Sequence, residues 1–150
     1  MDKPYSYIPQ QKDLSSVFGE WLNQFKWDWW ATFTFRRDTS PYRAKKSFLR
    51  FIRGNLHRHA YYFMVVEWHS YRDCVHLHAL VGNVDKVRRL STMDRWYATY
   101  GISRIWPYDT RLGARYYLSK YITKELSDWD FNFGKVQVPA FGKLTAIINE

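Results

Sequence analysis

Two histidines lie one residue apart in CVHLHALVG, residues 74–82, a segment that is otherwise apolar. Residues two apart in a β-strand project to the same face of a sheet, so His76 and His78 project together. We expect the opposite face to be the helix-covered core, formed here by Val75, Leu77, Ala79 and Val81. The histidines would then stand on the open face, where paired imidazoles suit a divalent metal.

Glu67 is the acidic residue of the preceding predicted strand, YYFMVVEWHS, residues 61–70. If residues 70–73 form the hairpin loop, Glu67 pairs with His76 and shares its face. Two imidazoles and a carboxylate would then converge, a combination that suits Mn²⁺, Mg²⁺ or Zn²⁺. A register shift of one residue would remove Glu67 from this face. His69 is a spare ligand, and the alternatives are a structural zinc site or ordinary polar residues.

A second cluster of reactive residue types lies in YLSKYITK, residues 117–124. Helical spacing places one stripe of polar residues along this segment: Tyr117, Lys120, Tyr121 and Lys124. An adjacent apolar stripe is expected to pack on the sheet: Ala114, Leu118 and Ile122. Tyr116 lies roughly 100° from Tyr117 around the helix, and we expect it to pack.

Tyr117 could act as a nucleophile, although tyrosines beside a buried stripe commonly serve packing alone. A phenol with a pKa of about 10 attacks poorly at neutral pH. A metal that polarises a phosphodiester, with the ammonium of Lys120 nearby, would assist attack on phosphorus. The products would be a phosphotyrosine ester and a free 3′-hydroxyl, without ATP.

Three short motifs together resemble a known family. HLHAL (76–80) resembles the histidine–hydrophobic–histidine motif of HUH endonucleases. YLSKY (117–121) is similar to the tyrosine motif of rolling-circle replication initiators of phages, plasmids and viruses, and ATFTF (31–35) resembles their first motif. The motifs occur in the family's order, and the resemblance covers roughly residues 29–125.

The resemblance implies a ferredoxin- or RRM-like fold, with a five-stranded antiparallel sheet flanked by helices. It implies Mn²⁺ or Mg²⁺ bound by Glu67, His76 and His78. It also implies sequence- or hairpin-directed nicking of single-stranded DNA through a covalent 5′-phosphotyrosine, which initiates rolling-circle replication. By motif position Tyr117 is the nucleophile and Lys120 assists it, while the role of Tyr121 as a second nucleophile stays open.

Other functions predict different sequence features. Small HUH transposases usually carry glutamine four residues after a single tyrosine, where this chain has Tyr121. Conjugative relaxases usually place their tyrosines near the N-terminus, whereas here the tyrosine follows the histidines. No Walker A pattern is present, so a host or separate helicase and polymerase would be needed. A non-catalytic single-strand-binding module would need the charge and the aromatic rings but not the Glu67–His76–His78 set.

The net charge of +9 predicts an anionic partner, and the 20% aromatic content favours single-stranded DNA, whose bases stack on rings. The predicted DNA contacts are Thr32, Thr34, Arg36, Arg37 and Lys124, with Arg104 a weaker candidate. Cys74 is the only cysteine, and the sequence shows neither a secretory signal nor an apolar run that could span a membrane. We therefore expect a protein of the host cytoplasm.

The predicted element order is α-β-α-β-β-α-β-α, with further short strands in the tail. The expected segments are a helix over 13–25 capped by Asp13, a strand over 29–35, a helix opening at Ser40 and Pro41, strands over 61–70 and 74–82, a helix over 85–100 stopped by Gly101, a strand over 102–108 and a helix over 111–126. Together they predict one α+β domain over residues 1–150, with helices mainly on one face of an antiparallel sheet and a helical extension over 1–28.

Overall fold

The computed structural model describes residues 11–56, 59–122 and 129–132. In chain order its elements are α1 (Gln11–Leu22), β1 (Trp29–Phe33), α2 (Pro41–Asn55), β2 (Tyr61–Trp68), β3 (Val75–Gly82), α3 (Arg89–Thr99), β4 (Ser103–Pro107), α4 (Gly113–Ile122) and β5 (Trp129–Asn132). Within these ranges no helix has the length and apolar character needed to cross a membrane.

The strands form one five-stranded sheet in the order β4-β1-β3-β2-β5, and every neighbouring pair is antiparallel. This arrangement confirms the predicted α+β class. The histidine strand β3 is the central strand, with β1 and β2 on its two sides. Strand β3 is hydrogen-bonded on both edges, so its side chains are held by a well-constrained backbone.

One face of the sheet is covered by α2 and α3. Helix α2 begins with the predicted cap. The Ser40 hydroxyl accepts a hydrogen bond from the backbone N–H of Arg43, and Pro41 occupies the first turn. Alternate residues of β3 enter this core, as predicted. The helices contribute Ala44, Phe48, Phe51 and Ile52 from α2 and Trp96 from α3.

The face that carries the histidines is also partly covered, which corrects the expectation of an open face. Helix α1 and the start of α4 pack there in a second core that includes Phe18, Trp21, Leu22 and Ala114. The sheet contributes Phe63, Val65 and Leu80 to this core. The sequence of β2 explains the difference, since it is apolar on both faces, as expected for a strand buried on both sides. We call this side of the sheet the histidine face.

Several boundaries differ from the predicted ones by a few residues. Strand β1 ends at Phe33 rather than Phe35, and α3 begins at Arg89 because residues 84–87 form a turn closed by the Val87 N–H and the Val84 carbonyl. Asp13 lies inside α1, which includes Gln11–Leu22, rather than before its first residue. Helix α3 ends just before Gly101, as predicted.

Candidate active site

The β2–β3 hairpin has the register predicted for it. Glu67 lies directly opposite His76, and the backbone N–H of His69 donates to the Cys74 carbonyl over 2.8 Å. Within the turn, the Tyr71 N–H donates to Nδ1 of His69 over 3.1 Å. The hairpin therefore brings the carboxylate and both imidazoles onto the histidine face next to one another.

The Glu67 carboxylate reaches past its direct partner to the diagonal neighbour His78. Its Oε2 lies 2.8 Å from Nε2 of His78, and the two side chains are 25% and 6% exposed. A nearly buried imidazole nitrogen needs a hydrogen-bond partner, because leaving it unpaired costs about 1–3 kcal/mol. Glu67 supplies a partner for Nε2 of His78.

His76 is half-buried beside this pair, and its ring centroid lies 5.0 Å from that of His69. Burial lowers the pKa of His76, and neighbouring His69 and Arg72 lower it further, whereas the Glu67 carboxylate acts to raise it. The lowered pKa favours the neutral imidazole, which is the form that ligates metals.

The donor types fit a divalent cation, since imidazoles and a carboxylate bind Mn²⁺, Mg²⁺ or Zn²⁺. Their arrangement is nevertheless that of a hydrogen-bonded pair with His76 alongside. Across residues 11–56, 59–122 and 129–132, no three His, Cys, Asp or Glu side chains form a group that could hold a metal ion. The three predicted ligands thus lie together as one bonded pair, Glu67 and His78, with His76 beside it, and the metal site stays a prediction.

Thr32 contacts the other nitrogen of His78. The two residues are direct partners between β1 and β3, and Oγ1 of Thr32 lies 3.2 Å from Nδ1 of His78. Both imidazole nitrogens are therefore engaged, which orients the ring. Thr34 does not contribute in the same way, because its hydroxyl donates to the Ile102 carbonyl over 2.6 Å.

Trp30 connects the histidine to the tyrosine helix. Its indole stacks on the His78 ring at 5.9 Å with an angle of 15° between the planes, and the Tyr117 ring lies 5.4 Å from the same indole. The phenolic oxygen of Tyr117 accepts a hydrogen bond from the Asp109 N–H over 3.0 Å. The candidate nucleophile is consequently fixed on the histidine face, one ring away from His78.

A second tyrosine packs on Tyr117 without sharing its chemistry. The Tyr108 ring lies 5.0 Å from the Tyr117 ring. Burial, followed by the influence of Tyr117 and Asp109, raises the pKa of Tyr108 to about 12. The phenolate of Tyr108 is therefore harder to form than that of an ordinary tyrosine, which suits a packing residue.

Helix α1 holds the start of α4 in place. The Asn23 side chain, just after α1, accepts a hydrogen bond from the Ala114 N–H over 2.8 Å and so serves as the cap of α4. Gly113, the residue before Ala114, has a φ of +77°, a conformation that favours glycine. The helices also approach closely, because a Cβ added at Gly19 would lie 2.8 Å from Cβ of Arg115. The N-terminal extension thus positions Tyr117.

The remaining residues of the tyrosine motif divide into three groups. Tyr116 is 65% exposed, which corrects the expectation that it packs, and its ring meets the Tyr117 ring nearly at a right angle. Lys120 and Tyr121 belong to α4, but their side chains fall outside the described part of the chain. Lys124 lies outside the described residues altogether.

Arg36 and Arg37 follow β1 and differ in their surroundings. The Arg36 guanidinium donates to the Tyr97 carbonyl and lies 4.9 Å above the Tyr97 ring. Arg37 is exposed. Together with Arg43 they line a surface cavity of about 450 Å³. The guanidinium of Arg36 is therefore already engaged within the protein, whereas those of Arg37 and Arg43 have fewer contacts with other residues.

Sequence reasoning missed Trp30 and Tyr108. For Trp30 the signal was available, because β1 alternates and residue 30 must share a face with Thr32. Tyr108 lies just after β4, and its position is set by a contact between distant segments, because its N–H donates to the carbonyl of Asp28. No local sequence pattern could have revealed it.

Comparison with known proteins identifies a family. The model of the replication-associated protein ORF2 family matches residues 28–126, which include both histidines, Glu67, Trp30 and Tyr117. No curated protein and no solved structure matches the chain.

Proposed function

The chain belongs to the replication-associated protein ORF2 family, and from that premise we propose that it is a metal-dependent nickase of single-stranded DNA. It would cut at an origin sequence or hairpin, retain the new 5′ end as a phosphotyrosine, and later transfer that strand to a 3′-hydroxyl. Rolling-circle replication would begin from the free 3′ end, with helicase and polymerase supplied by other proteins.

The proposal depends most on the contact series from Glu67 through His78 and Trp30 to Tyr117. Along this series Tyr117, the proposed nucleophile, lies on the same face of the sheet as the His78 imidazole and the Glu67 carboxylate, and the four residues come from four different elements. The phenolic oxygen of Tyr117, which would attack phosphorus, is held in position by the hydrogen bond that it accepts from the Asp109 N–H. Fixing a nucleophile in advance lowers the entropic part of the barrier.

The covalent step would be a transesterification. Oη of Tyr117 attacks the scissile phosphorus, an oxygen–phosphorus bond forms, and the bond from phosphorus to the 3′-oxygen of the preceding nucleotide breaks. The phenolic proton leaves to solvent, and the departing 3′-oxygen takes a proton to become a hydroxyl. Phosphodiester bonds are conserved in number, so neither ATP nor a redox partner is needed, and the reverse reaction rejoins the strand.

Glu67, His76 and His78 are the residues that would hold Mn²⁺ or Mg²⁺. When bound, the cation supplies Lewis-acid polarisation of the phosphate. Thr32 keeps the His78 ring oriented through Nδ1, and Glu67 acts on the other side at Nε2. In the proposed role the Glu67 carboxylate would help to hold the cation in place of its hydrogen bond to His78.

Further roles are assigned by motif position and charge. Lys120, one helical turn after Tyr117, would stabilise the phenolate or the phosphate, and Tyr121 would serve as a second acceptor. Arg36, Arg37 and Lys124 would contact DNA phosphates, and Thr32 and Thr34 would lie along the bound strand.

The test is formation of a covalent adduct. Wild-type protein is mixed with Mn²⁺ and a labelled pool of single-stranded, hairpin-rich oligonucleotides, and label retained by protein is measured on a denaturing gel. We expect an adduct that disappears with EDTA and with Tyr117→Phe and persists with Tyr116→Phe, the matched control on the exposed neighbour. Loss with Tyr121→Phe but not with Tyr117→Phe would reassign the nucleophile.

A non-catalytic single-strand-binding module is the second candidate. The observation in its favour is the hydrogen bond between Glu67 and His78, which gives both side chains a structural role on the histidine face. This module would bind the same oligonucleotides equally well with Mn²⁺ or EDTA and would form no adduct.

A further inference from the structure

The edge strand β4 carries two exposed residues on the histidine face. Its register with β1 places Arg104 opposite Thr32 and Trp106 opposite Trp30. Directly paired residues share a face, so both side chains project to the side of the sheet that bears His78. Arg104 is exposed, and Trp106 is 42% exposed although tryptophan is usually well covered.

These residues continue a row that begins at the candidate active site. Thr32 is the direct partner of both His78 and Arg104, so the three lie side by side across β3, β1 and β4. Two strand spacings separate Arg104 from His78, which is roughly 10 Å. Trp106 similarly continues the row that contains Leu80 and Trp30.

We propose that this β4 edge, formed by Arg104 and Trp106, is a second binding site for the DNA single strand, next to the scissile phosphate. Arg104 pairs with a backbone phosphate, and Trp106 stacks on an unpaired base. The proposal rests on the proposed function, because it identifies where the same DNA single strand would bind beyond the histidines. The net charge of +9 supplies the complementarity to the strand.

The chemistry of the edge favours a nucleic acid over a protein strand. An exposed strand edge can recruit a peptide through backbone hydrogen bonds. Pro107 ends β4 without an N–H, and the arginine adds charge at the edge, two features that discourage such pairing. A guanidinium beside an exposed indole instead matches the phosphate and base of one nucleotide.

The test is fluorescence anisotropy with a fluorescein-labelled dT20 single strand, titrated at several salt concentrations. We expect Trp106→Ala to weaken binding about 10-fold with an unchanged salt slope. Arg104→Ala should reduce the slope of log K against log salt by about 0.7. The matched controls are Tyr42→Ala and Arg50→Ala on α2, which covers the opposite face, and both should bind within about 2-fold of wild type.

Equal losses in the α2 controls, or edge variants identical to wild type in affinity and slope, would overturn the proposal. Circular dichroism checks that each variant folds. A second experiment needs no amino-acid substitution: wild-type protein is cross-linked by ultraviolet light to a single strand that contains 5-iodouracil. A cross-linked peptide that contains Trp106 is the expected result, and cross-links confined to other aromatic residues would contradict it.

Adduct formation, measured in parallel, separates the two proposals. If wild-type protein forms no adduct, the nickase is wrong. If it forms an adduct while the edge variants bind and react like wild type, only the β4 site is wrong.

Discussion

The indole of Trp30 lies parallel to the imidazole of His78, with 5.9 Å between the ring centroids and 15° between the planes. The same indole contacts the ring of Tyr117. Trp30 is therefore a side chain through which the histidine strand and the tyrosine helix meet. Its position on β1 fixes the spacing between a candidate nucleophile and a candidate metal ligand.

Trp30→Ala should lower the rate of adduct formation by at least about 10-fold, because a small displacement of a nucleophile is costly. It should leave Mn²⁺ affinity within a few-fold of wild type, since the metal ligands are other residues. Single-turnover kinetics and calorimetric Mn²⁺ titration measure the two effects. Trp30→Phe keeps a stacking ring and should restore most of the rate; an equal defect in both variants would contradict the positioning role.

Thr32→Val should weaken Mn²⁺ binding by about 10–100-fold, the usual effect of losing a residue that orients a metal ligand. The change removes the hydroxyl at Nδ1 of His78 and preserves the side-chain shape. Thr34→Val is the matched control on the same chain segment, because that hydroxyl bonds to the Ile102 carbonyl instead. Similar Mn²⁺ affinities for the two variants would show that Thr32 has no such role.

Chelation should not unfold the protein. Two aromatic-rich cores form the fold, and their packing does not involve the predicted metal ligands Glu67, His76 and His78. We expect the Tm in EDTA to match that of untreated protein, and Mn²⁺ at about 100 times its Kd to stabilise the fold by about 2.7 kcal/mol. Differential scanning calorimetry measures both. Unfolding on chelation would instead indicate a structural zinc site.

Gly19→Ala should destabilise the protein by about 1–3 kcal/mol, because the added Cβ would meet Cβ of Arg115 at 2.8 Å and push α1 from α4. Gly54→Ala is the matched control, since a Cβ there meets nothing within 4 Å. That helical substitution should stabilise by about 0.4–1 kcal/mol. Urea denaturation measures both, and equal free energies of unfolding would contradict the close contact. Adduct formation should fall only with Gly19→Ala.

Arg37→Ala should reduce the salt slope of single-strand binding by about 0.7, the value for one lost phosphate contact. Arg36→Ala should reduce the slope less and should also lower thermal stability, because that guanidinium already contacts the carbonyl and ring of Tyr97. Salt titrations and thermal melts of the two single variants distinguish these roles. An unchanged slope for Arg37→Ala would remove it from the DNA contacts.

Most of the fold could be predicted because its signals are local. Alternation in β3 separated the core side chains from the histidines, and the short hairpin loop set Glu67 opposite His76. Ser40 and Pro41 identified the start of α2. The second core was missed because burial of the histidine face depends on α1 and α4, which are distant in sequence from β3.

By itself the sequence determined which residues share a face and which reactive groups are available, because strand and helix periodicities are properties of the backbone. Only the tertiary structure decided that Glu67 bonds to His78 and not to His76, that Trp30 lies between His78 and Tyr117, and that α1 positions α4. These outcomes depend on rotamers and on packing between distant segments, where each side chain takes the partner that best satisfies its buried polar atoms and fills the space.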